Sequence, residues 1–122
     1  VLTPSQHTSL RQTVSAEVSS QMREMLHVAR STTWLGREDR AGYMIGGKTG
    51  TSETVRDGAY TQSETEATYI GYGGVDHPEY VIMVRVAAPG KGLNLEGGLH
   101  AGPIFTDVSN RMIDYMKLAP RN

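Results

Sequence analysis

A lysine flanked by glycines near the middle of the chain has the clearest chemical potential. Residues 46–52 read Gly-Gly-Lys-Thr-Gly-Thr-Ser. Glycine has no Cβ, so Gly50 lets another backbone approach this segment closely. Lys48 would supply a fixed positive charge, and the hydroxyls of Thr49 and Thr51 would supply hydrogen bonds. This combination suits the binding of a peptide that ends in a free carboxylate.

The same residues also satisfy a pattern for phosphate binding. Residues 42–49 fit Gly-x-x-x-x-Gly-Lys-Thr, the pattern of the nucleotide-binding P-loop. That loop needs a buried strand before the first glycine and a helix that starts at the lysine. Here the charged residues 37–40 precede the first glycine, and Gly50 lies where the helix should run. The context therefore argues against nucleotide binding.

Composition limits the chain to one modest domain without a strongly charged surface. Its 122 residues carry 12 basic and 13 acidic side chains, for a net charge of −1. This balance argues against nucleic-acid binding and against a polybasic membrane surface. The chain has no cysteine, and its four histidines show no ligand spacing. We therefore expect no disulfide, no metal site and no cofactor.

The spacing of apolar residues predicts a helix, three antiparallel strands and a second helix. Ser15 would cap the first helix, and Asp57-Gly58 would form a turn within a polar connection over residues 54–66. The predicted elements are a short strand over residues 10–14, a helix over 16–30, strands over 43–51, 67–73 and 79–88, and a helix from Pro103 to near Leu118.

These elements indicate an α/β (α+β) fold in which helices cover an antiparallel sheet. Residues 80–86 are almost all apolar, which is typical of a strand that is covered on both faces. A sheet of three strands would leave an edge open for pairing. The elements therefore look like part of a larger sheet, and we expect the isolated chain to fold poorly.

The motif and the segments around it resemble one known family. The matching stretches are Val-Ser-Ala-Glu at 14–17, Ala-Gly-Tyr at 41–43, Gly-Lys-Thr-Gly-Thr-Ser-Glu at 47–53, Ala-Thr-Tyr-Ile-Gly-Tyr at 67–72, His-Pro-Glu-Tyr-Val at 77–81 and Gly-Gly-Leu-His-Ala-Gly-Pro-Ile-Phe at 97–105. In this order they resemble the C-terminal part of the transpeptidase domain of a class B penicillin-binding protein, of the cell-division or elongation type. The resemblance covers roughly residues 10–120.

The resemblance implies a fold, a reaction and roles for the motif residues. Residues 1–122 would be the C-terminal segment of a single transpeptidase domain with the penicillin-binding and serine β-lactamase-like fold, and the upstream part would lie elsewhere. Such domains cross-link peptidoglycan stem peptides through a serine ester and are acylated by β-lactams. Lys48 would keep the site electropositive and assist proton transfer. Thr49, Gly50 and Thr51 would bind the substrate carboxylate, and the Thr51 backbone N–H would form half of an oxyanion hole.

The serine that this chemistry needs is absent from the sequence. The family places it in Ser-x-x-Lys, where one helical turn brings the lysine next to the serine oxygen. None of the three lysines, Lys48, Lys91 and Lys117, has a serine three positions before it. The second motif of the family, Ser-x-Asn, is also absent. We therefore expect this chain to be inactive alone and to have as its partner the remainder of the domain, which carries both motifs.

The resemblance implies further partners and a location for the parent protein. The substrate would be a stem peptide ending in D-Ala-D-Ala, with β-lactams as inhibitors and with no nucleic acid involved. A membrane glycosyltransferase is a further partner that the resemblance suggests. The parent would lie on the periplasmic or cell-surface side of the bacterial inner membrane, held by an N-terminal helix outside these residues.

Two alternatives to an enzyme part stay open at the level of sequence. The first is a non-catalytic module that binds wall peptide or a partner protein, since the nucleophile is missing. The second is a relative of the β-lactamases, which would need a deacylating base upstream. A companion polypeptide with Ser-x-x-Lys would distinguish the enzyme part from the binding module.

Overall fold

A computed structural model describes residues 10–121, apart from the side chains of Arg56 and Gln62. Its elements in order are helix α1 (Ala16–Ser31), a 3₁₀ turn (Trp34–Gly36), strands β1 (Met44–Arg56), β2 (Ala59–Gly74) and β3 (Pro78–Val86), a π-helical turn (Gly97–Ala101, the π-turn) and helix α2 (Gly102–Met116). The strands form one antiparallel sheet in the order β1-β2-β3. The predicted succession of helix, three strands and helix is confirmed.

Local sequence accounts for the ends of both helices. At the start of α1 the Ser15 hydroxyl accepts a hydrogen bond from the Val18 backbone N–H at 3.2 Å. Glu17 lies in the first turn of α1 and Arg30 in the last, where the helix dipole favours their charges. Helix α2 has a proline in its first turn, and it ends at Lys117, which is left-handed with φ 53°.

The hairpin of β1 and β2 is longer than the sequence predicts. Asp57 and Gly58 form its turn with positive φ angles of 52° and 80°. The sequence predicts a polar connection over residues 54–66, but these residues continue the two strands, and Val55 pairs with Tyr60. Both of these side chains are exposed. An exposed ribbon needs no alternation of apolar and polar residues, so the segment carries no strand pattern.

The strand predicted over residues 10–14 is wrong. These residues lie outside every helix and strand of the described chain. Leu10 is 92% exposed, so it packs against no sheet. Three consecutive polar residues separate Leu10 from Val14, so the segment lacks the alternation of a strand that packs on one face.

The core lies between one face of the sheet, α2 and the π-turn. Its buried members are Ile45, Ala67, Tyr69, Tyr80, Leu95, Ala101, Phe105 and Ile113. The rings of Tyr69 and Phe105 lie 4.7 Å apart between centroids. A Cβ at Gly71 would lie only 2.5 Å from Phe105 Cζ. Glycine at that position is therefore what lets the Phe105 ring lie directly on β2.

Two apolar surfaces stay exposed in the described chain. One is on α1, where Val18, Met22, Met25 and Val28 are each 44–64% exposed. The other is the sheet face opposite the core, which carries Ile70, Val81 and Met83. Strand β3 is thus buried on one face only. This agrees with the expectation that the apolar residues of β3 lack cover in this chain and belong to part of a larger sheet.

We predict that the isolated chain unfolds without a cooperative transition. These two surfaces leave a large share of the apolar side chains in contact with water, which removes the packing that makes unfolding all-or-none. Urea titration followed by far- and near-ultraviolet circular dichroism would show a broad, shallow change. A single sharp transition that coincides in both spectral ranges would contradict this prediction.

Candidate active site

The predicted motif lies on β1, at the edge of the sheet. Among the described residues β1 pairs with β2 alone. Side chains alternate between the two faces of a strand, so Thr49 and Thr51 share the core-bearing face with Ile45 and Gly47. Lys48 belongs to the opposite face. The structure therefore brings the two threonines together on one side of the edge.

The backbone of the motif presents polar groups to the outer edge of β1. His27 on α1 donates from Nδ1 to the Ile45 carbonyl oxygen at 2.8 Å, which shows that this carbonyl points away from β2. Backbone groups alternate in direction along an antiparallel strand, so Gly47, Thr49 and Thr51 also direct their N–H and C=O groups outward. The edge thus offers a row of backbone donors and acceptors to a ligand.

Lys48 bends back across this edge toward Thr49. Its ammonium donates to the Thr49 carbonyl oxygen at 3.0 Å and to Thr49 Oγ1 at 3.1 Å. The Lys48 side chain is exposed. The Lys48 side chain leaves the strand on the face opposite Thr49. Its ammonium nevertheless lies at the edge of β1, next to the Thr49 hydroxyl.

The glycines of the motif have an internal role besides any approach of a ligand. A Cβ at Gly47 would lie 2.5 Å from Tyr69 Cε1, and a Cβ at Gly50 would lie 2.4 Å from Thr68 Oγ1. The sequence interpretation assigns these glycines to close contact with a bound molecule. The structure shows that they first make room for side chains of β2 in the same sheet.

A cavity of about 210 Å³ opens beside the motif, between β1, the end of α1 and the 3₁₀ turn. Its lining residues are Ala29, Arg30, Thr33, Leu35, Gly47, Lys48, Thr49 and Tyr69. The cavity touches only part of the motif, because Gly50 and Thr51 lie further along the strand. It is a small recess next to the exposed edge rather than an enclosed pocket.

Arg30 lies buried under this cavity and ties four segments together. It donates to both carboxylate oxygens of Asp39 at 2.7 Å, to the Tyr69 hydroxyl at 2.9 Å and to Thr106 Oγ1 at 2.8 Å. Burial alone would lower the pKa of Arg30, but the hydrogen bonds and charges of Asp39 and Tyr69 outweigh it and raise that pKa. The Arg30 guanidinium therefore stays charged and hydrogen-bonded inside the protein. Of the two basic residues that line this cavity, Lys48 is the exposed one.

Sequence reasoning missed three contributors to this region. The first is Arg30, which lies in the last turn of α1. The second is His27, which fixes the edge of β1. The third is Gly97 of the π-turn, whose N–H donates to Thr51 Oγ1 at 3.2 Å. Each acts across a long stretch of chain, so no local pattern marks it.

Neither a metal centre nor a membrane span is found in the part of the chain that the structure describes. Residues 10–121 contain no group of three or more His, Asp or Glu side chains that could hold a metal ion. None of the helices described is long and apolar enough to cross a membrane.

Comparison with known proteins identifies the family. The penicillin binding protein transpeptidase domain matches residues 3–110 of this chain. The chain belongs to this transpeptidase family. The matched range includes the motif, the whole sheet and most of α2, which confirms the family indicated by residues 47–52 and the strands after them.

Curated relatives within this family are much longer than the chain. Stage V sporulation protein D of Bacillus subtilis is 36% identical over 114 residues, which are 91% of this chain and 17% of that protein. A probable peptidoglycan D,D-transpeptidase PenA of Neisseria flavescens is 26% identical over 113 residues, or 90% of this chain and 28% of that protein. The chain thus spans less than a third of either relative.

Solved transpeptidase structures share the fold. The transpeptidase domain of penicillin-binding protein 3 from Burkholderia pseudomallei superposes with a TM-score of 0.67 at 24% identity, covering 87% of this chain and 32% of that domain. Penicillin-binding protein 3 of Mycobacterium tuberculosis, solved with aztreonam, gives a TM-score of 0.67 at 25% identity and covers 88% of this chain and 26% of that one. The mixed fold of helices and antiparallel sheet is confirmed.

Proposed function

We propose that this chain is the substrate-binding part of a peptidoglycan D,D-transpeptidase domain. The observation that carries the proposal is the outer edge of β1. There Lys48 and the hydroxyls of Thr49 and Thr51 lie beside backbone N–H groups that point away from the sheet. An edge of this kind can pair with an extended peptide and neutralise its terminal carboxylate.

Carboxylate binding would fall to Lys48 and the two threonines. The Lys48 ammonium already donates to Thr49 Oγ1. Because that oxygen accepts from the lysine, the Thr49 hydroxyl proton is left to donate to a ligand. Gly50 lies between the threonines, and a Cβ there would point to the opposite face of the strand, against Thr68 Oγ1. Hydrogen bonds between such donors and a carboxylate are charge-assisted and thus stronger than neutral ones.

The Thr51 backbone N–H would stabilise the oxyanion of the reaction. It points to the outer edge, by the same alternation that directs the Ile45 carbonyl toward His27. The second donor would be the backbone N–H of the nucleophilic serine. Loss of one such donor costs a factor of about 10²–10³ in rate. This chain alone would have one of the two oxyanion-hole donors and no nucleophilic serine. We therefore expect it to be inactive by itself.

The reaction itself would proceed through a serine ester. The serine oxygen attacks the carbonyl carbon between the two terminal D-alanines, the C–N bond breaks, and the departing D-alanine amine takes a proton. An amine from a neighbouring stem peptide then attacks the ester and releases the serine. A β-lactam acylates the same serine through its lactam carbonyl, and the nitrogen released when the ring C–N bond breaks stays attached to the acyl group. Lys48 lies at the edge where these protons move and would lower the cost of each transfer.

The remainder of the domain would supply Ser-x-x-Lys and Ser-x-Asn. The chain covers 32% of a solved transpeptidase domain, which leaves room for both motifs in the other part. We call this chain joined with that part the complete domain. We also propose that the parent protein lies outside the cytoplasm, beside a membrane glycosyltransferase and anchored by an N-terminal helix. A relative named as a probable peptidoglycan D,D-transpeptidase supports this location.

Labelling with a fluorescent penicillin tests the proposal. The protein, isolated from its source under non-denaturing conditions, would be labelled and separated on a denaturing gel. We expect label that excess benzylpenicillin abolishes, on the polypeptide that carries Ser-x-x-Lys and is joined to or co-purifies with this chain. If no polypeptide associated with this chain is labelled, while the protein still binds wall peptide, the transpeptidase proposal is overturned in favour of a binding module.

A further inference from the structure

The π-turn contacts the motif at Thr51. The Gly97 backbone N–H donates to Thr51 Oγ1 at 3.2 Å. A threonine hydroxyl has one proton to donate and two lone pairs that accept. Because one lone pair is taken by Gly97, the hydroxyl proton is directed away from the π-turn. Thr51 is exposed, so that proton is available to a ligand at the edge of β1.

Hydrogen bonds on both sides hold Gly97 in place. Before it, the Thr65 hydroxyl on β2 donates to the Leu95 carbonyl oxygen at 2.7 Å. Across it, from the preceding residue to the end of the turn, the Glu96 backbone N–H donates to His100 Nδ1 and the His100 backbone N–H donates to the Glu96 carbonyl oxygen, both at 2.9 Å. The position of the Gly97 N–H is thus set by β2 and by the turn itself rather than by Thr51.

Gly97 is closely packed, whereas its neighbour Gly98 is not. A Cβ at Gly97 would lie 2.5 Å from the Gly50 carbonyl oxygen and 2.6 Å from the Thr68 carbonyl oxygen. A Cβ at Gly98 would meet only Thr49 Cγ2, at 3.8 Å, which is an ordinary contact. Because Gly50 and Thr68 are paired within the sheet, alanine at position 97 must move the π-turn and its N–H away from Thr51, whereas alanine at position 98 need not.

We infer that Gly97 is a positioning residue for the carboxylate-binding site, because its N–H fixes the Thr51 hydroxyl as a donor toward the ligand. The inference rests on the proposed function. Gly97 touches no reacting atom and acts through Thr51. Its contribution depends on a negative charge on the ligand, since the hydroxyl that it orients donates to that charge. This dependence on the charge of the ligand distinguishes a positioning role of Gly97 from a general role in folding.

The test compares a charged ligand with a neutral one in the complete domain. Acylation rate constants would be measured for benzylpenicillin and for its methyl ester, which lacks the negative charge. We expect Gly97→Ala to lower the rate with benzylpenicillin by about 10- to 100-fold, the range of one charge-assisted hydrogen bond. The rate with the ester should change little. The matched control Gly98→Ala should behave as the unaltered protein with both ligands.

A double variant shows whether Gly97 acts through Thr51. Thr51→Val should lose about the same factor with benzylpenicillin, and Gly97→Ala combined with Thr51→Val should lose no more than Thr51→Val alone. Equal losses with both ligands, additive losses in the double variant, or no loss in Gly97→Ala would overturn the inference while leaving the proposed function intact. Absence of acylation in the unaltered domain would overturn the proposed function, and this inference with it.

Discussion

Replacing Lys48 by alanine in the complete domain is expected to slow acylation by benzylpenicillin by a factor of about 10²–10³, the effect of removing one preorganised electrostatic group from an active site. The ammonium lies at the edge of β1 and donates to Thr49. Its loss removes the positive charge that faces the carboxylate and frees the Thr49 hydroxyl to turn. Rates would be measured by stopped-flow or by timed labelling.

Lys91→Ala provides the matched control for that variant. Lys91 is an exposed lysine in the loop between β3 and the π-turn, outside the motif. It changes the net charge by the same amount, and its acylation rate should stay at that of the unaltered domain. The melting temperature should move little in either variant, because both side chains are exposed. Equal acylation rates for Lys48→Ala and Lys91→Ala would show that Lys48 has no role in the site.

The second large effect is expected on stability, from Arg30→Met. The Arg30 side chain is fully buried, and its partner Asp39 is 14% exposed. Removing the arginine leaves a mostly buried carboxylate without its cation and also deprives Tyr69 and Thr106 of a donor. Breaking a buried ion pair in this way costs about 3–5 kcal/mol. Urea unfolding of the complete domain, read from its midpoint and slope, measures this loss.

An exposed ion pair supplies the control for Arg30. Arg111 pairs with Asp107 one turn away on α2, and the two side chains are 76% and 64% exposed. Arg111→Met should therefore cost only about 0.3–0.5 kcal/mol, the range for such helix pairs. Similar losses for the two variants would show that Arg30 is not the connection that the structure describes.

Arg30 also links stability to the motif. Its Tyr69 partner lies against Gly47, with no room there for a Cβ. A shift of the Tyr69 ring would therefore directly displace β1 at Gly47. Arg30→Lys should rescue little of the stability, because a lysine cannot make the paired contacts with Asp39 or reach Tyr69 and Thr106 at the same time.

Local patterns in the sequence were sufficient for the elements that carry their own signals. Ser15 and the apolar spacing after it predict α1 to within one residue, and Pro103 predicts the start of α2. The motif around Lys48 predicts β1 and the family. These features depend on neighbours within a few residues, which is what a sequence shows directly.

Contacts between distant residues could not be predicted in this way. The hydrogen bond from Gly97 to Thr51 spans 46 positions, and the one from Arg30 to Thr106 spans 76. A glycine in a glycine-rich loop and an arginine at the end of a helix both have ordinary local explanations. Only the fold shows that Gly97 lies against the motif and that Arg30 is buried beside it.

A crystal structure of the complete domain acylated by benzylpenicillin would test the central claim most directly. We predict that the ester carbonyl oxygen lies about 2.7–3.1 Å from the Thr51 backbone nitrogen, as in a working oxyanion hole. The penicillin carboxylate should be within hydrogen-bond distance of the hydroxyls of Thr49 and Thr51, with Lys48 beside it. A penicilloyl group whose carbonyl and carboxylate both lie away from the outer edge of β1 would contradict the account.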